Sequence, residues 1–354
     1  MCKSLNLFIE LTILVYKLYY LKIGDKMQEP IDFVICWVDG NDEKWKKEKE
    51  NYTPGSFTDS RNIRYRDWDN LQYLFRGIEK YASWVNKIHF VTYGHTPSWL
   101  NTNHPKLNIV NHKDYIPEQY LPTFSARPIE INLHRISGLA NQFVYFNDDM
   151  FILKHLKKTD FFKNGKPCDI AAIDIAISPD DVHGNAKLNS VNIINKHFNK
   201  REVLKRNLLK WYNLKNGRAL LRTILLTPWK MFTGFYTPHL PNAFLKKTFE
   251  EVWKNEKKIL ELTSSHRFRD KSDVTQYLFK FWQLASGEFM PRKNFGRLFK
   301  IGSEQKAISQ TIENQRCKII CLNDSEDINN FEKEKRNIIT SFEKILNEKS
   351  TFEI

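Results

Sequence analysis

The sequence predicts an α/β protein: a mostly parallel, three-layered core with additional helices around it. Three observations predict it. Gln142-Phe-Val-Tyr-Phe-Asn-Asp-Asp-Met-Phe151 is an apolar run that breaks abruptly into Asn147, Asp148 and Asp149. Ile31-Asp-Phe-Val-Ile-Cys-Trp-Val-Asp-Gly-Asn-Asp42 is a second such run, ending at Asp39-Gly40. Between them strand-like and helix-like segments alternate, as parallel strands joined by helical crossovers require.

The elements follow in order. Asp69 is the expected N-cap of a helix whose Leu71, Leu74, Phe75, Ile78, Ala82 and Val85 recur at helical spacing. Lys87 to Gly94 reads as a short buried strand closed by glycine, and Leu107 to Val110 as another. Pro128 to Leu139 reads as a helix with Ile129, Leu133 and Ile136 on one side. Farther on, Ala171 to Ile177 is a candidate strand, and Thr237-Pro-His-Leu-Pro241 is a rigid turn before a helix from about Ala243 to Leu262. A second helical pattern runs through Val274, Leu278 and Phe281. Lys318 to Asp324 is a third apolar run ending in Asn-Asp, and Asn329 to Glu348 a charged amphipathic helix.

Composition narrows the function. With 354 residues, 41% hydrophobic and 14% aromatic, the chain supports one large α/β domain. Mean hydropathy is -0.53. The one membrane-like stretch, Leu5 to Leu21, is interrupted by Glu10 and Lys17 and lacks a small-residue cleavage site. Residues 1–29 are either a weak interfacial anchor or an upstream extension with the true start at Met27, and the extension is favoured because the first strand begins just after that methionine. Residues 30–354 are read as a single domain. Five cysteines form no disulfide or zinc framework, so free thiols in a reducing cytoplasm are expected.

A net charge of +14 favours anionic partners. From Asn199 to Lys230 nine Lys and Arg face one acid, Glu202, and are interleaved with Leu204, Leu208, Trp211, Leu221 and Leu225. This marks a basic helical insertion at about 185–235. It suits either peripheral association with an anionic membrane or a pair of surface helices packed on the domain. No nucleic-acid motif accompanies the charge.

Adjacent carboxylates at the end of a buried strand are costly unless a cation sits there. Oxygen-rich sites suit Mg²⁺ or Mn²⁺, which complete their coordination with phosphate oxygens and water. Asp148 and Asp149 are thus candidate metal ligands for a nucleotide-diphosphate donor; a solvated Asn-Asp-Asp turn is the plainer alternative. Asp39, at the tip of the first run, either binds the metal or orients an acceptor. Thr263-Ser-Ser-His-Arg-Phe-Arg269 places an imidazole, His266, among cations: a candidate proton acceptor beside Arg267 and Arg269, which suit phosphate. A helix-flanking loop with solvated arginines is its alternative. Arg64, Arg66, His134 and Arg135 are further candidates for holding phosphate or acceptor, although His134 also fits a core histidine.

The ordered motifs resemble the Stealth family of sugar-phosphate transferases. Ile31 to Asp42 resembles its first conserved region. Arg64-Tyr-Arg-Asp67, Ile78 to Val85, Pro97-Ser-Trp-Leu-Asn101, Leu121-Pro-Thr-Phe-Ser125 and Phe146-Asn-Asp-Asp149 resemble the second. Pro238-His-Leu-Pro241 with Thr263 to Arg269 resembles the third, and Ile320-Cys-Leu-Asn-Asp324 the fourth. The family includes bacterial capsular and exopolysaccharide phosphotransferases and the lysosomal-targeting GlcNAc-1-phosphotransferase.

The resemblance implies a Rossmann-like, glycosyltransferase-A-like core and a divalent-metal requirement. It implies transfer of a sugar 1-phosphate from a UDP-sugar to a hydroxyl of a polysaccharide or lipid-linked oligosaccharide, releasing UMP. Matched by motif, Asp39, Asp148, Asp149 and His266 fall at conserved acidic and histidine positions, and Asn147, His239, Asn323 and Asp324 among the donor- and acceptor-binding ones. Ala126-Arg-Pro128 departs from the small residues of many members, and the large insertions of the animal enzymes are missing, which favours a compact bacterial enzyme. A cytoplasmic protein, peripheral at the inner membrane face, is expected. A metal-dependent glycosyltransferase releasing UDP satisfies the same residue spacing, and a non-catalytic polysaccharide- or membrane-binding protein is the rival of another class.

Overall fold

The computed structural model describes residues 29–53, 66–178, 182–325 and 328–354, without the side chains of Val182 and His183. The expectations for residues 1–28, including Leu5 to Leu21 and the start at Met27, fall outside these residues, and so does Arg64.

Four strands run parallel: β1 (Ile31–Cys36), β2 (Ile88–Thr92), β3 (Leu107–Asn111) and β4 (Gln142–Asn147). The later strand β8 (Asn242–Leu245) joins antiparallel to β4, giving the order β3-β2-β1-β4-β8. This is the Rossmann-like α/β arrangement, whose ligand crevice lies at the carboxyl ends of the strands.

Both sheet faces are buried, and the alternation along β1 and β4 explains how. Phe33, Ile35, Val144 and Phe146 enter one core with the helix Leu71–Tyr81. Val34, Phe143 and Tyr145 enter the other with Phe249, Leu260 and Phe279. Asp32 is the polar exception, with no solvent exposure. Asn86 Nδ2 (2.8 Å), Lys87 N (3.2 Å) and Ala140 N (2.8 Å) donate to its carboxylate, and His89 Nε2 lies 3.0 Å away. Burial disfavours its charge, but these bonds outweigh burial and hold its pKa below the ordinary carboxylate value.

A second sheet, β10-β11-β5, abuts the first. It comprises β5 (Met150–Ile152), β10 (Gly296–Lys300) and β11 (Ile319–Asn323), with β5 antiparallel to β11. Only Asp148 and Asp149 separate β4 from β5, so this acidic turn lies where the chain passes from one sheet to the other. Three short strands, β6 (Phe162–Lys163), β7 (Lys166–Asp169) and β9 (Met290–Pro291), make a third small sheet.

Several local expectations are corrected. The N-cap position of the helix at Leu71 is Asn70, without a side-chain capping bond, and Asp69 precedes it at φ 46. The helix expected from Pro128 to Leu139 is two pieces, Ala126–Ile131 and a 3₁₀ turn Leu133–Arg135. Asn132 breaks it: its Nδ2 donates back to Pro128 O (2.9 Å) and across to Ser264 Oγ (3.0 Å). The segment read as helix from Ala243 opens as β8, because Gln283 satisfies its outer backbone edge through Leu245 N (3.0 Å) and Ala243 O (3.1 Å). Helices Lys246–Asn255 and Lys257–Ser265 then follow. Ala171 to Ile177 makes a single bridge, Ile173 to Phe235, instead of a strand. The basic segment folds as the short helices Lys200–Arg206, Leu208–Trp211 and Ala219–Leu226.

Candidate active site

A cleft of about 1100 Å³ opens at the carboxyl ends of β1 and β4. Trp37 and Val38 line it from the end of β1, Asn147, Asp148 and Asp149 from the turn after β4, and Asn323 and Asp324 from the end of β11. The last two arrive there because β11 runs antiparallel to β5, Leu322 N donating to Asp149 O at 2.9 Å. His239 follows the Pro238 turn into the same space. Its Nε2 lies 3.5 Å from Asp149 Oδ2 and 3.3 Å from Asn147 Nδ2.

The electrostatics are those of an acidic floor with a basic rim. Asp148 is accessible through the cleft mouth, although protein crowds it on its other sides. That crowding, with the charges of Asp149 and Asp67, pushes its pKa up to about 7. Burial disfavours protonation of His239, yet its bond to Asp149 and that charge prevail and raise its pKa. Arg66, Lys187, Arg269, Arg297 and Lys300 line the cleft around this floor. Arg66 Nη1 reaches Asp324 Oδ1 at 3.5 Å, and Trp68 Nε1 donates to Asp324 Oδ2 at 3.1 Å.

The residues fit a divalent cation. Asp149 Oδ1 is buried and has no hydrogen-bond partner, an unsatisfied anionic oxygen of the kind a cation completes. Asp149, His239 and Cys321 bring ligand atoms within 4.8 Å of one another. Cys321 is the soft member of this set. His239 is a borderline donor, and the carboxylates of Asp149 and the adjacent Asp148 are the hard oxygen donors that suit Mg²⁺ or Mn²⁺.

The other sequence candidates are distributed as follows. His266 ends the helix Lys257–Ser265 and does not itself line the cleft; Arg269, three residues on, does. His266 Nδ1 lies 2.6 Å from Oδ1 of the buried Asp273, and Arg127 Nη1 lies 2.6 Å from the other oxygen. Arg267 sits with its guanidinium carbon 4.7 Å from the Tyr52 ring centroid, outside the cleft lining. Asp39 stands just beyond Val38: its N–H donates to His95 Nε2 (2.8 Å), and its Oδ1 accepts from Asn41 N (2.8 Å). His134 and Arg135 are not brought to the cleft. His134 packs against Phe249 and Trp253 with its pKa driven down to about 3 by burial, and Arg135 lies 4.7 Å over the Trp253 ring. His134 is thus a core histidine.

Sequence reasoning missed Lys187, Arg297, Lys300, Tyr236 and Tyr277 in the cleft. A usable signal existed for two of them. Gly296-Arg-Leu-Phe-Lys300 is a strand carrying two cations, unlike the apolar core strands.

An acid-floored, cation-rimmed cleft at the carboxyl edge of an α/β sheet lies where enzymes of this architecture bind their ligands. The model of Stealth protein conserved region 1 matches residues 29–56, and that of conserved region 2 matches residues 64–169. The capsular polysaccharide phosphotransferase WcwK of Streptococcus pneumoniae is 43% identical over 332 residues, 93% of this chain and 99% of the relative. The receptor polysaccharide phosphotransferase WefC of Streptococcus gordonii is 39% identical over 335 residues, 93% and 100%. The exopolysaccharide phosphotransferase cps2G of Lactiplantibacillus plantarum is 38% identical over 328 residues, 91% and 96%. Among solved structures, the galactosyltransferase LgtC in complex with donor and acceptor sugar analogs aligns at TM-score 0.38 and 10% identity, covering 87% of this chain and 95% of that one. The protein is an enzyme of the transferase class. It belongs to the Stealth family.

Proposed function

We propose that this enzyme transfers a sugar 1-phosphate from a UDP-sugar to a hydroxyl of a capsular or exopolysaccharide glycan, forming a phosphodiester and releasing UMP. The relatives named as polysaccharide phosphotransferases support the reaction class. The observation that carries the reading is Asp149, with its unpartnered buried oxygen at the end of β4, facing a cleft rimmed by five lysines and arginines. Such a pairing suits a diphosphate bound through a cation on one side and guanidinium and ammonium groups on the other.

Asp148 and Asp149, with His239, would hold Mg²⁺ or Mn²⁺. Bound there, the ion supplies positive charge to the phosphate oxygens. Arg269, Lys187 and Lys300 neutralise charge on the phosphate being transferred. The acceptor oxygen forms a bond to the sugar-side phosphorus while the bond from that phosphorus to the bridging oxygen breaks, and UMP leaves with the electron pair. The hydroxyl proton passes to His266 Nε2, the ring nitrogen left over once Nδ1 is engaged by Asp273.

We further place the enzyme at an anionic membrane surface on the cytoplasmic side. Among the described residues no helix is long and apolar enough to cross a membrane. Yet Leu208, Leu209, Leu214, Leu221, Ile224 and Leu225 stand exposed in the basic segment, Leu209 at 82%. Apolar side chains flanked by lysine and arginine favour insertion into an anionic interface.

The nucleotide released from a panel of UDP-sugars, with and without Mn²⁺, tests the reaction. Metal-dependent UMP is expected. UDP would move the attack to the anomeric carbon and withdraw the role given to His266.

A further inference from the structure

A second recess, of about 710 Å³, shares a wall with the cleft at Asn294, Gly296 and Arg297. Eight lysines and arginines line it against one acid, Asp160. That acid is engaged: its Oδ2 accepts from Lys318 Nζ (2.7 Å) and Lys157 N (2.8 Å). Lys154, Lys163, Lys215 and Arg316 are exposed around the recess.

Arg292 makes this a built site. Only 8% exposed, it lines the recess with its guanidinium carbon 4.0 Å from the Phe295 ring centroid, and its Nε and Nη1 are buried without hydrogen-bond partners. Asp169, whose carbonyl accepts the Arg292 N–H at 3.0 Å, has its carboxylate on Lys280 at 3.1 Å. Buried guanidinium donors left unpaired are costly, and an anion arriving from the recess satisfies them.

We infer that this recess binds a phosphate group carried by the acceptor glycan, an inference that rests on the phosphotransfer reading. A guanidinium fork with surrounding ammonium groups matches a tetrahedral oxyanion. The donor diphosphate does not belong here, because neither Asp148 nor Asp149 lines the recess. An acceptor passing Gly296 and Arg297 carries its own charge into it. The reaction's product is itself a phosphodiester, so a glycan already extended by such transfer bears the required group. The second source is a phosphate joining the glycan to a lipid. Lys215 supplies part of the recess wall from the turn Leu214–Asn216, and Leu214 beside it is 88% exposed. The recess rim thus continues into the segment assigned to the membrane.

The test uses the full chain with saturating UDP-sugar and three acceptors of the same sugar sequence. One is neutral, one carries an internal phosphodiester, and one carries a short alkyl diphosphate at its reducing end. A KM roughly tenfold lower for a phosphorylated acceptor is expected, and whichever shows it identifies the source. Lys154→Glu and Arg316→Glu, both at exposed positions, and Arg292→Gln should abolish that preference by raising KM without lowering kcat. Calorimetry with the preferred acceptor and no donor should show the same weakening. Equal KM for all three acceptors, or equal losses for neutral and phosphorylated ones in the variants, overturns the inference. Release of UDP with the phosphate preference intact would instead sink the phosphotransfer reading and leave the recess assigned.

Discussion

His266 Nδ1 stands 2.6 Å from Oδ1 of Asp273, a carboxylate with no solvent exposure whose other oxygen is held by Arg127 at 2.6 Å. Asp270 N adds a third bond to it at 2.9 Å. A carboxylate this constrained fixes both the orientation of the imidazole and the nitrogen that carries its proton. Replacing the imbalance of a mobile histidine by one defined Nε2 is what a proton acceptor needs. His266→Ala should therefore lower kcat by about 10²- to 10⁴-fold, with donor affinity measured by calorimetry little changed. Loss of donor binding of the same size would make His266 a binding residue.

The same pair sets a pH dependence. The bond to Asp273 raises the His266 pKa; burial and Arg127 oppose it, while Asp270 adds to it. In the proposed role the neutral imidazole is the active form, so turnover should rise as pH rises through this elevated pKa. Asp273→Asn should move that limb to lower pH in a profile of kcat/KM. The stability contribution has the opposite course: present below the unfolded-state pKa, it is lost as pH rises through the folded one. A limb that stays in place in Asp273→Asn would remove His266 from the titration.

At the acidic turn, Asp149→Asn keeps the side chain's shape and removes the charge its unpartnered oxygen carries. Metal-dependent binding of a UDP-sugar should weaken by about 10- to 100-fold, as calorimetry with and without Mn²⁺ would record. Chelation should abolish that binding in the parent enzyme. Binding indifferent to both would leave the turn a structural one.

The proposed membrane association is tested by vesicle composition. Sedimentation with vesicles rich in anionic lipid should carry the enzyme down, and neutral vesicles or added salt should release it. Leu209→Ser together with Leu225→Ser should weaken the association. Equal sedimentation of this variant and the parent would assign the interaction elsewhere.

Asp32 is the polar tie of the central sheet. Asp32→Ala strands the Asn86, Lys87 and Ala140 donors and should destabilise the fold by about 3–5 kcal/mol in urea unfolding. Because its folded pKa is lowered, this contribution is present above the unfolded-state pKa and lost as pH falls through the folded one. Acid unfolding should therefore begin at higher pH when Asp32 is removed.

What the sequence disclosed was local. β1, β2, β3 and β4 were legible because each is a short apolar run bounded by turn residues, and the Asn-Asp-Asp tip because buried strands seldom end in paired carboxylates. β8 was hidden, since Asn242–Leu245 is strand by pairing with β4 on one edge and with Gln283 of a distant helix on the other. Asp32 looked like one polar residue in a run; its four partners come from two separate stretches of chain, 86–89 and Ala140. Arg297 and Lys300 reached the cleft through packing of the second sheet, and Lys187 from the helix Val182–His197, placements that depend on tertiary packing. The phosphate-facing reading of Arg269 has a cleft behind it, whereas Arg267, two residues earlier, turns to Tyr52.

The passage from β4 through Asp148 and Asp149 into β5 has a bearing on synthesis. A ribosome that has emitted the first half of the chain has made both acids of the floor, but β5 still lacks its neighbour. Only when β10 and β11 emerge does Leu322 take hold of Asp149, and later still Glu353 grips Arg76 with two bonds of 2.9 Å. The acidic floor is written early and walled late. A nascent chain so arranged carries the acidic turn before the strands that wall it have been made.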